Sequence, residues 1–363
     1  MKKKVTSTDV ARLAKVSQAA VSMILNGNNS ISFSSETKER VIAAAKELNY
    51  CMHKIERLSG SANAKVIVVI CPLFANPYYA MVVQSIQESA MGMDYSVFIC
   101  NTLRSAKIET TYLDMLEQSP ISGVIYVGSP YSPKRLEQLS KVKPLVIVGD
   151  KSDQMDIDII ELNSIKTGMI AAEHLLTLGH RRVAFLSTPL ASHQIARLRR
   201  LEGVRKKFSE YGLEGGLILK AADSALDNQI PRSSTEYTSG YDLTMELINE
   251  CADVTGIICI NDMMALGATD ALIDRKKRIP EDISVMGCDN TIFANLRNIS
   301  LTTIDHFVGI KGNDAFNVLL QKMDATSAAQ PTAKPSSIMR LEYEPKLIVR
   351  RSTGECRRTP KRP

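Results

Sequence analysis

Gln18, Ala19, Ser22, Met23 and Asn26 share one face of a short predicted helix, spaced four apart in pairs. A small polar face of this kind can enter a major groove and meet base edges, provided its reverse side is held by a core. That reverse side carries Val21, Ile24 and Leu25 at i, i+3, i+4. The preceding segment carries Val10, Leu13 and Ala14 at the same spacing. Two amphipathic helices joined by a tight turn are therefore expected. Thr6 stands to cap the first, with Asp9 in capping-box position, and Ser17 to cap the second. Lys2, Lys3 and Lys4 precede them and can meet phosphate charge. A plain helical hairpin with a solvated face has the same periodicity, so spacing alone leaves both readings open. A third helix, about 35–48, places Val41, Ala44, Ala45 and Leu48 on one side. The three would form a small bundle that depends on mutual packing.

The 363 residues carry a formal charge of +6 that is unevenly placed. Residues 1–60 hold ten Lys/Arg against five Asp/Glu, and residues 346–363 hold seven against one, leaving the middle acidic. Basic ends on an acidic body point to polyanion-facing segments, and the basic tail 349–363 also reads as a solvated end. The seven cysteines show no Cys-x-x-Cys spacing and no pairing with His at metal-ligand spacing. Neither a disulfide framework nor a metal site is expected. Cys71, Cys100, Cys259 and Cys288 sit in apolar runs and read as small core residues. No signal peptide or membrane span is legible, so the cytoplasm is the expected compartment and no membrane partner is expected. There is no phosphate loop, no Gly-x-Gly-x-x-Gly after a strand and no Gly-x-Ser-x-Gly elbow. An enzyme is not expected, nor a cofactor.

From Lys65 onward β-branched runs alternate with helical stretches. Strands are predicted over 66–71, 96–100, 123–127, 145–148, 183–186, 256–260 and 283–287, buried and parallel. Helices are predicted over 81–91, 108–118, 167–178, 200–211, 241–250 and 263–274. Repeated βα units imply doubly wound parallel sheets with ligands at the carboxyl ends of strands. The strands are too many for one comfortable sheet, which suggests two lobes.

The N-terminus resembles the DNA-binding domain of the LacI/GalR (lac-repressor-like) family of bacterial regulators. The likeness is carried by Thr6, Asp9-Val10-Ala11, Val16-Ser17, Val21-Ser22, Leu25-Asn26-Gly27 and Ser34 to Val41. The remainder resembles the same family through Asn76-Pro77-Tyr78-Tyr79, Gly179-His180-Arg181-Arg182-Val183, Asn261-Asp262-Met263, Ile279-Pro280-Glu281-Asp282, Gly287-Cys288-Asp289-Asn290 and Leu347 to Ser352. Six motifs in the right order behind a matching helix-turn-helix make the resemblance specific. Lys15 stands where the family has Gly, and Met23 where Arg is common. Met cannot form a bidentate bond to guanine.

The resemblance implies an α/β fold: an N-terminal three-helix helix-turn-helix domain and a two-lobed, periplasmic-binding-protein-like core of doubly wound parallel sheets. Its boundaries would be 1–50 for the DNA-binding domain, 51–63 for a hinge, 64–348 for the core and 349–363 for the tail. The lobe boundary would fall near 161–163, with returns near 291 and 323. The resemblance implies that Gln18, Ala19 and Met23 read base edges, and that Thr6, Ser17 and Ser22 meet phosphates. Asn26 shares the recognition face. Leu58 would wedge into the minor groove from a hinge helix, although Met52, His53 and Glu56 depart from that segment's usual pattern. An effector would lie between the lobes, held by Tyr78, Tyr79, Asp150, Arg200, Asn261 and Asp289. The implied function is a dimeric transcription regulator, a repressor of a near-palindromic double-stranded DNA operator, controlled by a small molecule of carbohydrate or related character. A solute-binding protein serving a transporter would use the same clamp. The missing export signal and the N-terminal bundle weigh against it.

Overall fold

The computed structural model describes residues 6–25, 33–48, 65–150, 155–223, 235–328 and 337–356. The chain forms two compact units, 1–62 and 63–363. In the first, α1 (Ser7–Ala14), α2 (Gln18–Leu25) and α3 (Ser35–Glu47) pack on one another. The backbone N–H and hydroxyl of Thr6 both donate to Asp9 Oδ2, at 2.9 and 2.7 Å, and start α1. Lys15 ends it in the left-handed region (φ 54°, ψ 47°), a conformation that costs a non-glycine residue on the order of 1 kcal/mol. Val10, Ala11, Ala14, Val21, Val41, Ala44 and Ala45 are the core. Leu13 was expected there and is 43% exposed. Ala11 takes part in the buried stripe instead, which centres the inward face between Val10 and Ala11. At about 100° per residue this turns Leu13 roughly 110° away. The side chain of Leu25 lies outside the described residues.

The second unit has two lobes. The first is built on a six-stranded parallel sheet of β1 (Val66–Cys71), β2 (Ser96–Asn101), β3 (Gly123–Val127), β4 (Leu145–Val148), β5 (Asp158–Leu162) and β11 (Arg340–Tyr343), in the order β11-β5-β4-β3-β1-β2. Its helices are α4 (Pro77–Met91), α5 (Ala106–Glu117), α6 (Pro133–Ser140) and α11 (Val308–Ala328). The long α11 lies against α4 and over the central strands, inserting Phe316 and Leu319 among Ile67, Val69 and Ile86. β1, β3 and β4 are apolar along their whole length because both faces are covered. β2 is an edge strand and half exposed, not buried as its composition suggested.

The second lobe is a four-stranded parallel sheet, β7-β6-β8-β9, of β6 (Val183–Ser187), β7 (Leu217–Ala221), β8 (Gly256–Cys259) and β9 (Ser284–Met286). Helices α7 (Ser164–Thr177) and α8 (Ile195–Glu210) form one packed pair, and α9 (Thr235–Glu250) and α10 (Asp262–Asp274) another. An antiparallel ribbon of β10 (Thr303–Asp305) and β12 (Lys346–Ile348) completes the lobe junction. The chain leaves the first lobe after Leu162. It recrosses at about 305–308 and 343–346, later than the expected 291 and 323. Residues 286–305 stay with the second lobe through the Met286–Thr302 and Asp289–Asp305 bridges, and α11 is committed in full to the first.

The tail is also corrected over 349–356. Ser352 and Thr353 are buried, Ser352 Oγ donates to Val285 O at 2.6 Å, and Cys356 N donates to Leu178 O at 2.8 Å. Backbone pairing to the second lobe holds this run in spite of its charge. No described helix is long and apolar enough to cross a membrane.

Candidate nucleic-acid interface and effector cleft

Ser17 Oγ accepts from Ala20 N at 3.1 Å and caps α2, which exposes the helix start. Gln18 and Ala19 are exposed there. The Gln18 amide donates to Ser7 Oγ at 2.9 Å, so its side chain is oriented by the start of α1. Ser22 and Met23 are half-buried. Thr6 is exposed and engaged with Asp9. The Gln18–Ser7 bond brings the start of α1, with Thr6, beside the start of α2, with Ser17, Gln18 and Ala19, and Ser22 and Met23 follow one turn along α2. Asn26 and Leu58 lie outside the described residues.

The carboxyl ends of the two parallel sheets face each other across a cleft of about 110 Å³. All six residues expected there line it: Tyr78, Tyr79, Asp150, Arg200, Asn261 and Asp289. Each is held by a local device. Asn76 caps α4 by accepting from Tyr78 N at 2.9 Å, and Pro77 opens the helix, which sets both tyrosines at the cleft. Asp150 follows β4 through Gly149 (φ 140°), where a Cβ would come within 3.1–3.2 Å of the Gly128 backbone. Arg200 projects from α8 and donates from Nη1 to Ile260 O at the end of β8. Asn261 caps α10 by accepting from Met264 N at 2.9 Å.

The neighbouring Asp262 caps nothing. It is fully buried and accepts from Thr291 N (2.7 Å), Thr291 Oγ1 (3.0 Å) and Thr303 Oγ1 (2.6 Å), which fixes the turn that carries Asp289. Asp289 Oδ1 lies 3.4 Å from His306 Nδ1, and the His306 ring meets Tyr78 edge-on at 5.7 Å.

Sequence reasoning did not single out Asn76, Arg104, Gln194, Arg197, Glu236 or Lys311 as site residues, yet they line the same cleft. The charged ones come from a turn, two helix starts and the first turn of α11, which carry no shared spacing. Four cationic side chains thus face three carboxylates and one imidazole. Burial pushes the Asp289 carboxyl well above its ordinary value, and it pushes His306 well below. Burial also raises Asp150, and it brings the Lys311 ammonium down to about 8. Asp150 Oδ2, Arg200 Nε and His306 Nε2 are buried without a hydrogen-bond partner among the described residues. The side chains that carry these atoms line the same polar cavity. Among the described residues no group of three or more His, Cys, Asp or Glu is placed to hold a metal.

Residues 64–339 match the profile of periplasmic binding proteins and the sugar-binding domain of the LacI family. Residues 6–52 match the profile of bacterial regulatory proteins of the lacI family. The chain belongs to the LacI family. It is 28% identical over 351 residues to the HTH-type transcriptional repressor PurR of Haemophilus influenzae (strain PittEE), covering 96% of this chain and 98% of the relative. The PurR of Edwardsiella ictaluri (strain 93-146) is 29% identical over 353 residues, with 96% and 97% covered. Among solved structures, the Lac repressor dimer bound to operator and the anti-inducer ONPF is 27% identical with a TM-score of 0.66, covering 97% of this chain and all of that one. This LacI-family chain is accordingly a DNA-binding transcriptional regulator, and these relatives are repressors rather than enzymes. The residues that line its cleft all fall within 64–339, the range matched by the first profile.

Proposed function

We propose that this protein is a repressor that binds a near-palindromic operator as a homodimer, and that a small carbohydrate-class metabolite seated between the lobes controls it. One observation carries the effector reading. Asp150, Arg200 and His306, each with one buried polar atom that has no hydrogen-bond partner among the described residues, line one cavity. Buried polar groups are rarely left without a hydrogen bond, and an unmade one calls for a partner such as a ligand, an ion or a water. A polyhydroxylated molecule both donates and accepts, so it answers a site that presents a carboxylate oxygen beside a guanidinium N–H. Tyr78 and Tyr79, edge-on at 5.2 Å, supply apolar ring surface.

The recognition helix would read bases through Gln18, Ala19 and Met23, with Thr6, Ser17 and Ser22 on phosphates. Two copies would meet two half-sites. The core 64–348 would supply dimerisation, and 51–63, with Leu58, the coupling segment. Effector binding would change lobe closure, and through it the spacing of the two reading heads.

The test is to select bound fragments from genomic DNA, then titrate the preferred site at one salt concentration with and without a panel of monosaccharides and related polar metabolites. A preferred site whose affinity is changed several-fold by one compound is expected. No site preferred over random DNA would overturn the operator reading. A preferred site indifferent to every compound would overturn the carbohydrate-class effector.

A further inference from the structure

The two lobes are also joined across the cleft by the protein's own charges. Arg104 follows β2 in the first lobe, and Glu236 lies in the first turn of α9 in the second. Their exposures are 6% and 4%, and Arg104 Nη2 donates to Glu236 Oε1. Asn76, buried at the start of α4, donates from Nδ2 to the same Oε1 at 3.2 Å. Burial opposes ionisation of this carboxyl, but Arg104 overrides it, with Arg197 and Asn76 helping, and holds Glu236 below its ordinary value. Tyr131 of the first lobe also lies against His193 of the second, ring centres 4.4 Å apart.

Arg104 and Asn76 belong to one lobe and aim two donors at one point. Charged and amide donors converging in this way make a carboxylate site. The anion that fills it arrives from the other lobe, on the chain itself. A carboxylate taken out of water is tolerated only when paired and hydrogen-bonded. Glu236 meets both conditions only when the lobes are together. Its attachment to the second lobe also gives it a high effective concentration at that point.

We propose that Arg104 and Asn76 form a carboxylate-binding subsite for which Glu236 is a tethered ligand, so that the protein closes its cleft without an effector. A ligand carrying its own carboxylate at that position must displace Glu236, so the latch selects for ligands that are neutral there. The regulatory meaning rests on the effector reading above; the subsite does not.

The chain contains no tryptophan. Tyr131→Trp in the full-length protein therefore places a single tryptophan, excited apart from the tyrosines, against His193, and small-angle scattering gives an independent measure of closure. The reporter protein alone is expected to show shielded emission. Adding Glu236→Ala should red-shift the emission and raise the radius of gyration. Formate should raise the melting temperature of this opened variant saturably, where chloride at equal ionic strength does not, and should leave it open, because it fills the subsite without a tether to the second lobe. Glu236→Gln keeps the shape but not the charge. It should open in part and resist formate, because the amide still fills the subsite; it serves alone if the alanine variant fails to fold. Variants as closed as the parent would overturn the latch. An opened alanine variant that formate stabilises no better than chloride would overturn the subsite. No readout involves operator or effector. A working latch in a protein whose operator binding ignores every metabolite would instead count against the effector reading alone.

Discussion

Gly168 and Gly203 hold α7 and α8 in backbone contact. A Cβ on Gly168 would lie 1.9 Å from the carbonyl oxygen of Arg200, and a Cβ on Gly203 would lie 1.9 Å from that of Ile165. The pair α9 and α10 repeats the device, with Gly240 against Met264 O at 2.1 Å and Gly267 against Tyr237 O at 1.9 Å. Both contacts sit beside a cleft charge: the first at Arg200 itself, the second one residue from Glu236. Backbone contact between helices leaves little freedom to slide, so the charges of the second lobe are set by its scaffold.

Gly168→Ala should therefore do two things. The added methyl forces α8 away and should cost roughly 1–3 kcal/mol. It should also displace Arg200 and weaken any effector response. Thermal melting and effector titration check both. An unchanged melting temperature would mean that the helix pair can yield.

Lys311 is 2% exposed and burial brings its ammonium down to about 8, against an ordinary 10.5, in spite of Asp150, Asp289 and Glu161 nearby. Below pH 8 both folded and unfolded chains carry this proton. Between about 8 and 10.5 only the unfolded chain does, so this group makes stability rise with pH through that window. Denaturant titrations of the parent and Lys311→Met at intervals over that range should show the parent gaining on the variant. Parallel curves would refute the assignment.

Arg200→Ala removes the guanidinium that donates to Ile260 O and, with it, the unpartnered Nε. Effector response should be lost, while operator binding by the unliganded protein is retained. A retained response would reassign Arg200 to the scaffold.

Gln18→Ala should weaken the preferred operator by roughly 1–3 kcal/mol and relax one base position. The measurement is a set of affinities on single-base variants at one salt concentration. Equal weakening on all sequences would place Gln18 on the backbone of the duplex. Asp9→Ala is the control for the fold of this unit, since it removes the partner of Thr6 and should cost about 1 kcal/mol of helix stability without changing base preference.

The local pattern was enough for much of this protein. Apolar runs such as 66–71 and 123–127 declared strands because strands covered on both faces need no polar residue. Cap signals declared the starts of α1 and α2, and the family resemblance pointed to Tyr78, Tyr79, Asp150, Arg200, Asn261 and Asp289, all of which line the cleft. Tertiary structure decided what depends on distant partners. The longest described helix, α11, went unpredicted, because it packs on α4 and on sheet strands and spreads its apolar positions over both contacts. β11 is polar and half exposed, and it exists as a strand because β5 offers a free edge. The tail's docked run follows from hydrogen bonds to residues 48 to 178 positions away, which no window of sequence contains. The latch is of the same kind: Arg104 and Glu236 are 132 residues apart, and only the facing of two sheet ends brings them into contact.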